Sequence, residues 1–193
     1  GTIGMSSMFS GSNTTLSCKF NRNISSWTTT YVNNMSYMFR LNTAFNQNIG
    51  SWNTAKVTSF QSTFQGCTSF NQNLGAWNVS AVTIFNAMFY NATIFNNGGS
   101  SDINNWTLKS TGTITMNSMF YTALAFNQPI GSWNVTRVTD MSSMFAGSSL
   151  MTFNQNINSW VVSSLTNITG MFQNNITFTN NQTLAGWGPY TGA

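Results

Sequence analysis

Hydrophobic positions return along this chain in one fixed order. Residues 116–120 (Met-Asn-Ser-Met-Phe) place apolar side chains at i, i+3 and i+4, residues 126–130 (Phe-Asn-Gln-Pro-Ile) alternate apolar and polar, and Trp133 closes the unit. The first spacing puts apolar residues on one face of a helical turn, whereas alternation with period two is typical of a strand. One unit is therefore predicted to be a helical or 3₁₀ turn followed by a short strand.

The same unit occurs seven times, at a spacing of about 25 residues where nothing is inserted. The repeats start near residues 5, 35, 60, 85, 116, 141 and 168. Every Phe and every Trp lies on a repeat position, the tryptophans being Trp27, Trp52, Trp77, Trp106, Trp133, Trp160 and Trp187. A period this short predicts a single solenoid over residues 1–193 with no interior domain boundary.

Stacking of the repeats is predicted to supply the core. Strands of neighbouring coils would pair in parallel at about 4.8 Å, so seven coils would form a rod about 34 Å long. Phe would lie over Phe, Ile over Ile and Trp over Trp, which buries side chains that one repeat alone could not cover. Two polar ladders are also predicted, with side-chain amides bonding along the stack: Asn46, Asn71, Asn127 and Asn154 facing outward, and Gln47, Gln72, Gln128 and Gln155 facing inward.

Two segments carry a family resemblance. Residues 141–147 (Met-Ser-Ser-Met-Phe-Ala-Gly) and 45–58 (Phe-Asn-Gln-Asn-Ile, then Trp-Asn and Val-Thr) resemble the repeat of the BspA-like leucine-rich-repeat surface proteins. The resemblance implies an LRR-like solenoid, with a short parallel β-sheet on one side and turns on the other. It also implies an extracellular or cell-surface setting, with adhesion or partner binding. The family often has Asp where this chain has Asn48, Asn53, Asn73 and Asn78, so nearly all of that acidity is missing here.

Charge is scarce in this chain. Charged residues make up 4% of it, against roughly 25% in ordinary soluble domains. The formal charge of +4 is spread over different repeats without a run of like sign, which argues against nucleic-acid binding. No apolar run approaches the length of about 20 residues that a membrane span needs. Amides, hydroxyls or attached sugars must then solvate the surface.

The residue inventory argues against catalysis. The chain has no His and no Glu, so it lacks the usual general base near neutral pH and an imidazole metal ligand. The two acids, Asp102 and Asp140, lie in different parts of different repeats, which disfavours a shared carboxylate pair. We therefore expect no catalytic residue, no metal site and no cofactor.

The two cysteines, Cys18 and Cys67, lie two repeats apart. Two coils would separate them by about 9.6 Å along the stack, beyond the limit of about 7 Å for Cα atoms joined by a disulfide. An intrachain bridge is thus disfavoured. Two semi-buried thiols or an intersubunit disulfide are the remaining readings.

Asn-x-Ser/Thr triplets are frequent, although the abundance of Asn, Ser and Thr accounts for most of them by chance. Asn78 and Asn134 both follow the Trp of their repeats, so glycans there would form a row at one corner. The candidate N-glycosylation sites are Asn13, Asn23, Asn34, Asn78, Asn91, Asn105, Asn134, Asn167, Asn175 and Asn181.

Neither end of the sequence resembles the polar capping repeat with which solenoids usually finish. Head-to-tail stacking of identical chains is one consequence, since uncapped heterologous contacts generate open filaments. Neighbouring repeats of a longer array are the other. The first functional hypothesis is a non-enzymatic extracellular structural protein that stacks into a fibre or surface coat.

The alternative hypothesis is a cell-surface adhesin that recognises a protein or glycan. It would bind through the Asn-lined strand face and through inserted loops, because insertions often build the binding face of a solenoid. The insertions lie near residues 13–18, 97–102, 148–151 and 180–183.

Overall fold

The computed structural model describes residues 1–13, 16–178 and 187. Regular secondary structure is short there, because each repeat changes direction several times within about 25 residues. The elements are β1 (Ile3–Gly4), β2 (Val32–Asn34), two 3₁₀ helices (Asn97–Gly99 and Ser101–Asn105), β3 (Ile114–Thr115) and β4 (Val138–Asp140). The predicted loop at 180–183 lies outside the described residues.

One column of parallel bridges joins consecutive repeats. β1 pairs with β2 and β3 with β4, and isolated parallel bridges connect the remaining neighbours. Each bridging residue comes just before the opening Met, Phe or Ile of its repeat. The column consists of Gly4, Asn34, Ser59, Ile84, Thr115, Asp140 and Asn167. These are the contacts expected of coils that lie on one another in parallel.

The predicted position of the strands is wrong. Residues 45–49 and 70–74, two of the Phe-to-Ile segments, form no strand, and the bridges lie instead on the residues before each turn. The reason is a competing hydrogen bond: the backbone N–H of Asn71 donates to the side-chain Oδ1 of Asn46 at 3.0 Å. A side-chain oxygen thereby takes the N–H that a strand ladder would give to a backbone carbonyl.

The predicted helical turn is also wrong at the opening of each repeat. We call residues 35–42, and the equivalent residues of other repeats, the turn segment. The N–H groups of Met35, Tyr37, Phe39 and Leu41 donate to carbonyls of the next repeat at 2.6–3.1 Å. Of the N–H groups between them, that of Ser36 bonds to Asn34 Oδ1 and the others bond to the carbonyl three residues back. In a helix, the N–H groups after the first turn, such as that of Leu41, would bond within the repeat and would not bind the next coil.

Positive backbone φ angles produce this alternation. The third residue of the turn segment has φ of 53–63° in every repeat, as a type II turn requires at its third position. These residues are Ser7, Tyr37, Ser62, Ala87, Ser118, Ser143 and Gly170. The left-handed conformation thus belongs to the repeat itself, and it turns alternate N–H groups toward the neighbouring coil.

Two columns of Phe side chains fill the interior. The first Phe column is Phe9, Phe39, Phe64, Phe89, Phe120, Phe145 and Phe172; the second is Phe20, Phe45, Phe70, Phe95, Phe126, Phe153 and Phe178. Within a repeat the two ring centroids lie 3.8–4.2 Å apart. Neighbouring rings in the first column lie 5.4–5.7 Å apart. The predicted stacking of Phe over Phe is confirmed.

The Trp side chains lie at a corner beside these columns. The indole Nε1 of Trp52 donates to the carbonyl of Ile24 in the preceding repeat at 3.1 Å, and Trp106 donates to Leu74 at 3.0 Å. Trp77, Trp133 and Trp160 make the equivalent bond. Each of these rings therefore buries its apolar body and also ties one coil to the previous one.

No helix in the described part of the chain is both long and apolar enough to cross a membrane.

Candidate functional site

The Asn-lined face, predicted as a binding surface, is largely used to join coils. Its column contains Asn21, Asn46, Asn71, Asn96, Asn127 and Asn154, and each side-chain Oδ1 before the last accepts the backbone N–H of the next Asn at 2.8–3.0 Å. Gln72 Nε2 donates to both the carbonyl and the Oδ1 of Asn46. The amides do bond along the stack, but Gln crosses to Asn, so the two separate ladders are not formed.

The insertion of repeat 4 packs against repeat 3. Asn97 is fully buried; its Oδ1 accepts the N–H of Leu74, and its Nδ2 donates to Asp102 Oδ1, both at 2.8 Å. Asp102 Oδ2 accepts from Asn73 Nδ2 at 2.8 Å. The two 3₁₀ helices therefore rest on the preceding coil.

Asp102 is held as a carboxylate by this packing. Desolvation opposes its ionisation, but hydrogen bonds from Asn73, Ser100 and Asn97 outweigh that effect and lower the pKa of Asp102. Gly75 lies directly beneath, where a Cβ would come within 2.2 Å of the carboxyl group. Glycine at this position is what lets the carboxylate approach the coil.

Asp140 occupies a different place and has a different partner. It belongs to the bridge column, and its Oδ1 accepts the N–H and the hydroxyl of Ser142 at 2.8 and 2.7 Å. The structure does not bring the two aspartates together. Within the described residues, no three side chains of His, Cys, Asp or Glu lie close enough to hold a metal ion.

A groove crosses the turn segments of the first four repeats. Its cavity of about 350 Å³ is lined by Ser12, Asn13, Arg40, Leu41, Gln65, Gly66, Tyr90 and Asn91. Sequence analysis did not single out these residues as a site. The signal was present, because Arg40, Gln65, Tyr90 and Tyr121 all stand five residues after the opening residue of their repeats.

The ends of this groove differ chemically. At one end Arg40 Nε donates to Gln65 Oε1 at 3.3 Å. At the other end the Tyr90 ring stacks on the Tyr121 ring, with centroids 4.7 Å apart and planes 9° apart. Desolvation, with a contribution from Tyr121, raises the pKa of Tyr90, so its phenol stays protonated near neutral pH. We call this cavity the Arg-Tyr groove.

The candidate glycosylation sites differ in accessibility. Asn175 is 6% exposed, and its Nδ2 donates to the carbonyl of Phe153 at 3.2 Å, so the folded chain cannot present it for modification. Asn34 and Asn167 are half-buried. Six sites are exposed: Asn13, Asn23, Asn78, Asn91, Asn105 and Asn134. Asn181 lies outside the described residues.

The cysteines are free, and an intrachain bridge is absent between them. Cys18 is half-buried, whereas Cys67 is completely buried and donates its thiol to the carbonyl of Phe39 at 2.9 Å. Burial raises the pKa of Cys67 far above its ordinary value. Its side chain therefore packs as a small apolar group, and an intersubunit disulfide through Cys67 is excluded in the folded chain.

The first repeat leaves its columns open. Met8 is 48% exposed and Trp27 37% exposed, whereas the equivalent Met38 and Trp52 are at most 3% exposed. Four carbonyls of the first turn segment accept no described donor, namely Gly4, Ser6, Met8 and Ser10. At the other end, four N–H groups find no partner in the described part of the chain: Ile168, Gly170, Phe172 and Asn174. The two faces are complementary.

Comparison with known families adds one finding. Residues 3–114 and 99–189 match the family described as Mycoplasma protein of unknown function, DUF285. The chain belongs to this family. No curated protein and no solved structure matches it. The two matched stretches together cover most of the DUF285 chain.

Proposed function

We propose that this DUF285 protein is a non-enzymatic structural repeat protein of an extracellular or cell-surface layer. In this proposal it is an LRR-like solenoid related to the BspA-like surface proteins, and its end coils receive another coil of the same kind. A second copy would extend the stack head to tail into a fibre or coat. Neighbouring repeats of a longer array would form the same contact within one polypeptide.

The complementary end faces carry the proposal. Between described repeats, four N–H groups of one turn segment meet four carbonyls of the next, as in repeats 2 and 3. The last described turn segment offers the same four donors, and the first offers the same four acceptors. Each uncovered backbone group costs free energy when it is buried without a partner, so a matching coil is the occupant that satisfies the whole row.

The residue composition supports a non-enzymatic role at a surface. The chain contains no His or Glu, and its two aspartates bond to neighbouring side chains as structural groups. Exposed Asn78, Asn105 and Asn134 flank the Trp corner and would carry glycans in a source that glycosylates. Mass spectrometry of the native protein before and after enzymatic deglycosylation tests that part of the proposal.

Self-association is tested by sedimentation and electron microscopy of the purified chain over a concentration series. The proposal expects rods that lengthen with concentration, and it expects Met8→Glu to abolish them because a buried charge would face the incoming coil. Leu150→Glu is the matched control, since Leu150 is 69% exposed in the repeat 6 insertion. Monomers at the highest concentration, or equal disruption by both variants, would contradict head-to-tail assembly.

The adhesin hypothesis stays a prediction. The repeat 4 insertion is packed down on repeat 3, so deletion of residues 97–102 would damage folding as well as binding. Its test therefore needs substitutions at exposed Asn residues outside the column that joins the coils, such as Asn48→Ala and Asn156→Ala. Loss of cell or glycan adhesion with an unchanged melting temperature would favour this alternative.

A further inference from the structure

We propose that the Arg-Tyr groove binds an acidic glycan, with a sugar carboxylate on Arg40 and a sugar ring against the side of the Tyr90 ring that faces repeat 3. This site is separate from the end faces and from the Asn-lined face. It lies on the turn segments, where backbone N–H groups and carbonyls make the repeated hydrogen bonds between coils.

The groove has the size and shape of a ligand site. Its volume of about 350 Å³ lies at the lower end of the range of about 300–1,000 Å³ found for small-molecule pockets. Its lining comes from four successive repeats, so it extends over about 14 Å at a coil spacing of about 4.8 Å. A short oligosaccharide fits this elongated form better than a compact molecule does.

Glycine opens the middle of the groove. Gly66 has φ of 71°, and a Cβ there would come within 2.8 Å of Leu41 Cδ2. A larger residue at this position would have to push the Leu41 side chain aside. Gly66 therefore adds no side chain to the lining of the groove beside Leu41.

Tyr90 supplies an aromatic wall. Tyr121 of repeat 5 covers one face of its ring, and the other face is directed toward repeat 3, where Gln65 and Gly66 line the cavity. An aromatic face combined with a few placed polar groups is the usual composition of a small-ligand pocket. Gln65 and Asn91 add amides suited to sugar hydroxyls.

Arg40 decides the charge of the ligand. Its one described side-chain partner is the neutral Gln65, while the two aspartates bond elsewhere, Asp102 to Asn73 and Asp140 to Ser142. A guanidinium forms paired hydrogen bonds with a carboxylate more readily than an ammonium does. Since the chain carries a formal charge of +4, a negatively charged sugar is also favoured at longer range.

Calorimetric titration with a hyaluronan tetrasaccharide tests the proposal, with cellotetraose as the neutral probe of the same length. The protein should be made without glycans, because the candidate sites Asn13 and Asn91 line the groove. The carboxylated probe should bind, and added salt should weaken it. Arg40→Gln should weaken binding at least about tenfold, since bonds to charged groups are the strong ones. Arg40→Lys should give a smaller loss, because the charge remains but the planar fork is removed.

Tyr90→Leu should also weaken binding at least about threefold, because it removes the ring face. Arg137→Gln and Tyr31→Leu are the matched controls, as both residues are exposed and neither lines the groove. Thermal melting of each variant separates lost binding from lost folding. The proposal is overturned if hyaluronan does not bind, if cellotetraose binds equally well, or if folded Arg40→Gln binds like the original protein. Binding that survives in rod-free Met8→Glu material would show that the groove is independent of assembly.

Discussion

The turn segments and the Asn-lined face join the same coils by different chemistry. In the turn segments, backbone N–H groups meet backbone carbonyls, as Phe64 meets Met88 at 2.9 Å. On the Asn-lined face, a side-chain oxygen replaces the carbonyl, as Asn71 does for the N–H of Asn96 at 2.8 Å. The first arrangement leaves the outward-facing side chains free to vary, as at Arg40, Gln65 and Tyr90, whereas the second depends on one residue type. The Arg-Tyr groove forms on the turn segments, where side chains can differ from one repeat to the next.

Replacement of a buried Phe in repeat 4 should cause the largest loss of stability. The loss should be equal for the Phe beside the turn segments and for the Phe beside the Asn-lined face. Phe89 and Phe95 are fully buried and stack on each other at 3.8 Å, one beside the turn segments and the other beside the Asn-lined face. Phe89→Ala and Phe95→Ala should each lower the free energy of unfolding by about 3–5 kcal/mol. Denaturant titration measures this loss. A much smaller effect for one of them would mean that the two sides do not share a core.

The next largest loss of stability should distinguish the Asn-lined face from the turn segments. Asn71 Oδ1 accepts from the N–H of Asn96 and of Gly98, so Asn71→Ala would leave two donors without partners. We expect a loss of about 2–3 kcal/mol. Gln61→Ala is the matched control, because the described hydrogen bonds of Gln61 use only its backbone N–H and carbonyl, and it should cost less than about 0.5 kcal/mol. Similar losses for the two variants in denaturant titrations would contradict the difference in bonding between the Asn-lined face and the turn segments.

A glycine in the turn segment should stabilise the chain. Ala87 has φ of 54°, a conformation that costs an L-residue roughly 1–2 kcal/mol. Ala87→Gly should therefore raise the free energy of unfolding by about 0.5–1 kcal/mol after the entropy of the unfolded glycine is subtracted. Ala55→Gly, at an exposed position without positive φ, should lower it by about 0.4–1 kcal/mol. Opposite signs in thermal melting confirm the role of the left-handed residue.

The smallest expected effect is on the stability of the chain at acidic pH. Because the pKa of Asp102 is lowered in the folded chain, its contribution is present above the unfolded pKa of about 3.9 and is lost as pH falls below it. Asp102→Asn should flatten the fall of melting temperature below about pH 4 and leave its slope near neutral pH unchanged. An identical acid limb in both proteins would remove Asp102 as its source.

The repeat and its buried columns could be predicted from the sequence, but the local backbone could not be predicted from spacing alone. The i, i+3, i+4 pattern of Met35, Met38 and Phe39 fits a helical turn and a chain of β-turns equally well. What separates them is the frequent Ser or Gly at the third position and the Gly or Asn at the seventh, such as Gly66 and Asn91, which tolerate positive φ.

The strand was misplaced for a related reason. Alternation in Phe-Asn-Gln-Asn-Ile correctly indicates which side chains face the core, as burial of Phe45 and Ile49 shows. It does not indicate which atom receives the backbone N–H, and Asn can supply that atom from its side chain. The Arg-Tyr groove was missed because its residues are about 25 positions apart and differ chemically, so they become neighbours only through the stack.

The uniform bonding between coils also bears on how such a chain changes length. A duplicated coil would meet, above and below, the same donors, acceptors and rings as the copy it came from, so gain or loss of whole repeats would require no new interface. The join between repeats 3 and 4 is the exception, because Asn97 and Asp102 fit only the coil that carries Asn73 and Gly75. Repeats 3 and 4 are therefore expected to be duplicated or lost together.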